Sequence, residues 1–141
     1  NVSTVCTCFR HEAPAFRPLA RDWSFTMYEA VCIGANGDAE AFRKSGEAAV
    51  IALAGRLGIP AVVVQAEDPF YLPTARGRAL LQRVKALKHE LVVRPASGAQ
   101  LAIASFNQHE RFFGNAFDIR LLSDGSPASS LTISGSGSDL L

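Results

Sequence analysis

Cysteine is scarce here, with three in 141 residues. So small and odd a count excludes a disulfide framework as the basis of the fold. Cys6 and Cys8 sit two apart on one face of an expected strand, and Cys32 lies on its partner. Cys-x-Cys is not a structural zinc spacing and no second cysteine pair follows, so buried apolar thiols are expected at these positions. The sequence has no apolar run long enough to span a bilayer and no signal-peptide pattern. The expectation is a reduced, cytoplasmic protein with no membrane association. Charge of one sign is not in excess: 14 Lys and Arg stand against 13 Asp and Glu, a net +1. That leaves no global basic field for nucleic acid. Gly-Lys-Ser is absent, which excludes a Walker P-loop, and there is no internal repeat. Asn1 is not an initiator Met, so a fragment or a chain lacking its start is expected.

What is present suffices for one domain: 48% of the residues are apolar and 19% charged, ordinary for a globular chain with a single core. Residues 2–12 alternate loosely and carry Val, Thr, Cys and Phe, which predicts a strand. Ala13 to Asp22, with Pro14 and Pro18, reads as a loop, and Trp23 to Ile33 as a second strand. Asp38 is placed to cap a helix over Ala39 to Leu57, with Phe42, Ala49, Val50, Leu53 and Leu57 as its apolar face. Gly58 and Pro60 end it. Ala61 to Gln65 is a short buried strand, and Thr74 to Leu87 a second amphipathic helix with a basic outer face. Strands are predicted at Lys88 to Arg94, Gln100 to Phe106 and Ala116 to Leu122. From Ser123 the sequence is low in complexity, so the expected division is a core over 1–122 and a Gly/Ser-rich tail over 123–141. Hairpin-linked strands without a βαβα rhythm predict an α+β fold with a mostly antiparallel sheet.

The stretch from Cys8 to Glu29 concentrates the chemistry. Alternation puts Arg10 and Glu12 on one strand face, and Phe25, Met27 and Glu29 on one face of the returning strand. Pairing the two strands gathers Arg10, Arg21, two carboxylates and an aromatic ring. Guanidinium forks match phosphate oxygens, a ring can stack on a base, and a carboxylate can accept from an amine or hold a cation. A nucleoside triphosphate suits that set. Arg10 and Glu12 also read as a surface ion pair of little worth, and Phe25 as core. Asn107 and His109, in Phe-Asn-Gln-His-Glu, also read as turn-capping residues. His11 and His89 read as satisfied strand histidines rather than bases.

Phe9-Arg10-His11-Glu12 resembles the Phe-Arg-x-Glu of motif 2 in class II aminoacyl-tRNA synthetases. Arg21, Phe25 and Glu29 fit that motif's second half. The closer resemblance is to the synthetase-like amino acid:[carrier protein] ligases, relatives of the zinc-dependent seryl-tRNA synthetases without a tRNA-binding domain. It spans roughly Cys8 to Leu122. Further blocks are Asp68-Pro69-Phe70, Leu87-Lys88-His89-Glu90-Leu91, Ser105-Phe106-Asn107-Gln108-His109, Phe113-Gly114 and Ile119.

The resemblance implies the class II antiparallel sheet flanked by helices. It implies ATP-dependent activation of a small amino acid as an aminoacyl-adenylate, with Mg²⁺, and transfer to the phosphopantetheine thiol of a carrier protein. Arg10 would hold the α-phosphate as the catalytic arginine, Glu12 would lie near the adenine, Arg21 on the outer phosphates, and Phe25 would stack on the base. Arg17 is a weaker match for the role of Arg21. Asn107 and His109 would line the amino-acid pocket. Glu29 matches one of three Zn²⁺ ligands, the other two being cysteines. One cysteine would lie upstream of Asn1, the other near Ser130 to Thr132, where this chain has Ser-Leu-Thr. Gly135-Ser-Gly137-Ser falls at motif 3, Gly-x-Gly-x-x-Arg, with Leu140 in the arginine's place. Nucleotide binding without efficient turnover is therefore expected of these residues. The implied partner is an acidic carrier protein docking on the basic face from Arg76 to Lys88, rather than tRNA. Family members dimerise through motif 1, which lies outside this sequence, so a homodimer stays open. Two other readings also stay open: a piece of a seryl-type synthetase, and a non-catalytic or truncated binding domain of the same fold.

Overall fold

The computed structural model describes residues 1–9, 23–66, 86–94, 98 and 100–136. Arg10, Glu12, Arg17, Arg21, residues 74–85 of the expected second helix, and Leu140 lie outside the described residues. Six strands and two helices are described: β1 (Val2–Phe9), β2 (Ser24–Gly34), α1 (Asn36–Arg56), β3 (Ala61–Gln65), β4 (Lys88–Val93), β5 (Leu101–Glu110), α2 (Phe112–Ala116) and β6 (Ser129–Ser136). All strands join one sheet in the order β1-β2-β6-β5-β4-β3, with every pairing antiparallel. The α+β expectation holds. No helix among the described residues is long and apolar enough to cross a membrane.

The sheet has two unlike faces. Ala30, Leu91, Phe106, Leu131 and Ile133 are buried together with Ala39 of α1, and Phe42 and Val50 of the helix pack against them. Burying these side chains drives the helix onto the sheet, at roughly 25 cal/mol per Å² of apolar area. Ala49 is exposed, so the buried face is turned from the expected one toward Ala39 and Ala54. Leu53 and Leu57 stay half-exposed and line, with Tyr28, Ile103 and Ala104, an apolar cavity of about 240 Å³ beneath the helix. A register shift between Leu91 and Val92 leaves Ile103 without an opposite residue, which brings it and Ala104 to the same cavity.

α1 starts three residues before the expected Ala39. Asp38 accepts the Ala35 backbone N–H at 3.2 Å, the back-reaching half of a capping box, since Ala35 has no side-chain acceptor. At the other end Gly58 takes φ +70°, the left-handed turn that glycine permits, and Ile59 N–H donates to Ala54 O at 2.9 Å. Arg43 and Glu47 of α1 and His89 of β4 tie the helix to the sheet. His89 Nδ1 lies 2.6 Å from Glu47 Oε1, and Arg43 donates to both Glu40 and Glu47. His89 is thus a satisfied strand histidine, as expected.

Two segments depart from the sequence reading. No strand runs over Ala116 to Leu122: α2 ends at Ala116, turns follow, and Arg120 makes a single bridge to Pro127. Phe117, inside the expected strand, stacks on Phe113 of α2 at a ring-centroid distance of 6.0 Å, and Phe113 meets Phe112 edge-on at 5.2 Å. The expected tail contains β6, which lies in the middle of the sheet between β2 and β5. Its two large apolar residues, Leu131 and Ile133, alternate inward, while Ser130, Thr132 and Ser134 take the other face. Small hydroxyl residues there hid the strand's periodicity.

Candidate functional site

The face away from α1 carries the polar chemistry. Strand register aligns Glu29 with Ser134, Ser134 with Ser105, and Ser105 with Glu90, one row across four strands. Beside it runs Val31, Thr132, Asn107 and Lys88. Directly opposed side chains in antiparallel pairs lie close enough to interact. They do so across β5 and β6, where the Ser105 and Ser134 hydroxyls lie 3.3 Å apart, and along β5 Asn107 Nδ2 donates to Ser105 Oγ at 3.0 Å. Lys88 Nζ is 3.1 Å from Glu90 Oε1, so Lys88 belongs to this strand face rather than to a helix surface.

β5 runs on to Glu110, so Asn107 and His109 sit within a strand and do not cap a turn. His109 Nε2 lies 3.0 Å from Thr132 Oγ1, and its ring meets Phe113 of α2 edge-on at 4.8 Å. Burial pushes the His109 imidazole below its ordinary value of 6.5. The histidine therefore stays neutral at pH 7. As pH falls below 6.5 the unfolded chain binds the proton before the folded one, so the stability tied to a neutral His109 is full above 6.5 and declines below it. Urea midpoints from pH 7.5 to about 5 should fall more steeply in the wild type than in His109→Gln. Parallel slopes would show that His109 titrates as an exposed histidine.

Glu29 is half-buried and has no hydrogen bond or ion pair among the described residues. Phe25 shares its face two pairs along β2. Alternation predicts that Phe25 and Glu29 share a surface, and the extension of β5 to Glu110, with Asn107 opposite Thr132 and His109 bonded to it, brings those two residues to the same one. The sequence reading gave no site role to Ser105 and Glu90, which lay within blocks of the resemblance, or to Thr132 and Ser134, which lie on the strand it did not find. A separate open cleft of about 530 Å³, lined by His109, Arg111, Asn115 and Ser129 among others, reaches neither Phe25 nor Glu29.

Zinc does not fit the described residues. No group of three or more His, Cys, Asp or Glu among them could hold a metal ion. Glu29 faces Thr4 and Ser134, both neutral hydroxyls, where a zinc site needs further thiolate, imidazole or carboxylate ligands.

Solved structures with this architecture define the class. M. kandleri SerRS, solved with A. aeolicus tRNASec, superposes with a TM-score of 0.78 at 24% identity, over 99% of this chain and 29% of that one. Prolyl-tRNA synthetase from Cryptosporidium parvum, solved with L-proline and AMP, gives 0.77 at 12% identity, over 98% and 29%. The fold is that of the class II aminoacyl-tRNA synthetase catalytic domain. Within that fold, the chain is similar in sequence to two amino acid--[acyl-carrier-protein] ligases. Ligase 1 of Bradyrhizobium diazoefficiens is 37% identical over 122 residues, and ligase 2 is 34% identical over 120. The matches cover 86% and 84% of this chain but 36% and 35% of those proteins, so the chain spans about a third of the curated relatives' length. No family model matches the sequence.

Proposed function

We propose that the chain carries the nucleotide and amino-acid half of an ATP-dependent ligase, which activates a small amino acid and passes it to the phosphopantetheine thiol of a carrier protein. The identity to the two Bradyrhizobium ligases, over most of this chain, is the observation that carries it. In the reaction, the amino-acid carboxylate attacks the α-phosphorus and pyrophosphate leaves. The carrier thiolate then attacks the adenylate carbonyl and AMP leaves. Arg10 would stabilise the charge that builds on the α-phosphate oxygens in the first step. Glu12 and Arg21 would bind the adenine edge and the outer phosphates, and Phe25 would stack on the base. Glu29, beside the hydroxyl residues Thr4 and Ser134, would accept the substrate ammonium directly, with Asn107 and His109 shaping the pocket beside it. ATP enters as its Mg²⁺ complex, and no described residue is assigned to that cation. An acidic carrier would dock on the basic segment from Arg76. tRNA is not the expected partner at a net charge of +1.

ATP titration by calorimetry tests the reading. Losing one charged hydrogen bond to phosphate costs about 1.5–3 kcal/mol, so Arg10→Ala should weaken ATP binding about ten- to a hundredfold. Equal affinities for wild type and variant would remove the nucleotide assignment.

A further inference from the structure

We propose that Cys6, Cys8 and Met27 form a binding site for a soft monovalent cation of the Cu(I) or Ag(I) type. Both thiols project from β1 to the face opposite α1, and their sulfurs lie 3.6 Å apart. They are the half-buried positions of an otherwise exposed edge strand. Met27 is the residue directly opposite Cys6 in the β1–β2 register. Opposed residues in an antiparallel pair have Cβ atoms about 4.5–5.5 Å apart, so the Met27 side chain leaves the sheet beside that of Cys6.

The donor set decides the metal. Two thiolates and a thioether are uniformly soft, a set that selects Cu(I) over harder cations. Zinc would want four ligands with nitrogen, thiolate or carboxylate in each place, and no third such group stands here among the described residues. At a metal–thiolate length of about 2.3 Å, sulfurs 3.6 Å apart subtend roughly 100° at the cation, which leaves an open side toward Met27. Binding releases the two thiol protons to solvent and leaves both cysteines as thiolates. Cys32, buried on the α1 side of β2, takes no part. The site stands whether or not nucleotide binds on this face. Cys8 is, however, paired with Phe25, so an occupied site would adjoin the candidate base-stacking ring.

The test is anaerobic titration of the reduced 141-residue chain with Cu(I) against bicinchoninate, repeated with Ag(I), which is redox-inert. The wild type and Cys32→Ala should each take up one equivalent. Cys6→Ser and Cys8→Ser should each bind more weakly by more than the roughly 10–100-fold that loss of an outer-shell partner costs. Met27→Leu should bind measurably more weakly, with thermal unfolding confirming that each variant is folded. Failure to take Cu(I) from the chelator, undiminished uptake by folded Cys6→Ser, or preferential uptake of Zn²⁺ would overturn the site. Unchanged affinity in Met27→Leu would overturn the three-sulfur arrangement.

Discussion

Gly114→Ala should destabilise the fold by about 3 kcal/mol, near the upper end of what overpacking costs. Gly114 is buried in α2, where that helix meets the chain entering β6. A methyl group there would collide with the Ala128 carbonyl oxygen, with Ala128 N at 2.8 Å and its carbonyl carbon at 3.1 Å. These are backbone atoms, so no rotamer change relieves the clash. Ala128 cannot simply retreat either: its N–H donates to Ile119 O at 2.9 Å, and Ile119 N–H donates to Gly114 O at 2.9 Å. Shifting α2 would instead pull Phe113 off His109 and disturb the site face. Domains of this size are stable by about 5–15 kcal/mol, so the loss is a large fraction of the total. Urea unfolding would read it, with Gly37→Ala as the control, because a Cβ at Gly37 meets nothing within 4 Å. A Gly114→Ala loss below about 0.5 kcal/mol, the ordinary range for an unremarkable surface substitution, would show that α2 is not seated on β6.

How far the site could be read in advance depended on the reach of the interactions. The faces of β2 followed from alternation alone, so Phe25 and Glu29 were placed together correctly. The boundaries of β3 and the capping role of Asp38 were also local signals. Resemblance to the ligases rested on spaced blocks, and the Bradyrhizobium homologues bear it out. β6 was lost because a strand buried between two others needs only small residues where neighbours crowd it. Ser129 and Ser130 are as buried as the leucine that follows them. Their position is set by β2 and β5, about 100 and 25 residues upstream, and no local pattern carries that. The same non-locality hid the Ser105–Ser134 contact and the Thr132 partner of His109. The strand expected over Ala116 to Leu122 is replaced by turns, and Phe117 within it stacks on Phe113 of α2 instead of joining the sheet.

The fit of α1 on β6 should appear as a strong coupling between Gly46 and Ile133. A Cβ on Gly46 would collide with Ile133 Cδ1, while Ile133 Cγ1 at 3.6 Å and Phe106 Cε1 at 3.7 Å would be ordinary contacts. Gly46 is therefore the gap in α1 that receives the end of the Ile133 side chain. Gly46→Ala alone should cost about 1–3 kcal/mol, since Ile133 must leave its rotamer in a packed core. Ile133→Val alone removes the Cδ1 methyl and should cost about 0.5–1.5 kcal/mol. Together the two changes should not add. With Cδ1 gone, the alanine methyl fills the space it vacated, and alanine in a helix interior gains about 0.5–1 kcal/mol over glycine. Gly46→Ala should then be neutral or stabilising in the Ile133→Val background. The expected coupling is about 1–3 kcal/mol, within the range seen for residues in contact. A double-mutant cycle by urea unfolding measures it. Additivity within about 0.5 kcal/mol, as for distant sites, would mean that the helix does not lie on β6 at Gly46. The buried face of the sheet would then need a different partner. Coupling of the expected size would fix the helix over the strand whose outer face aligns Ser134 with Glu29, and with it the floor of the candidate site.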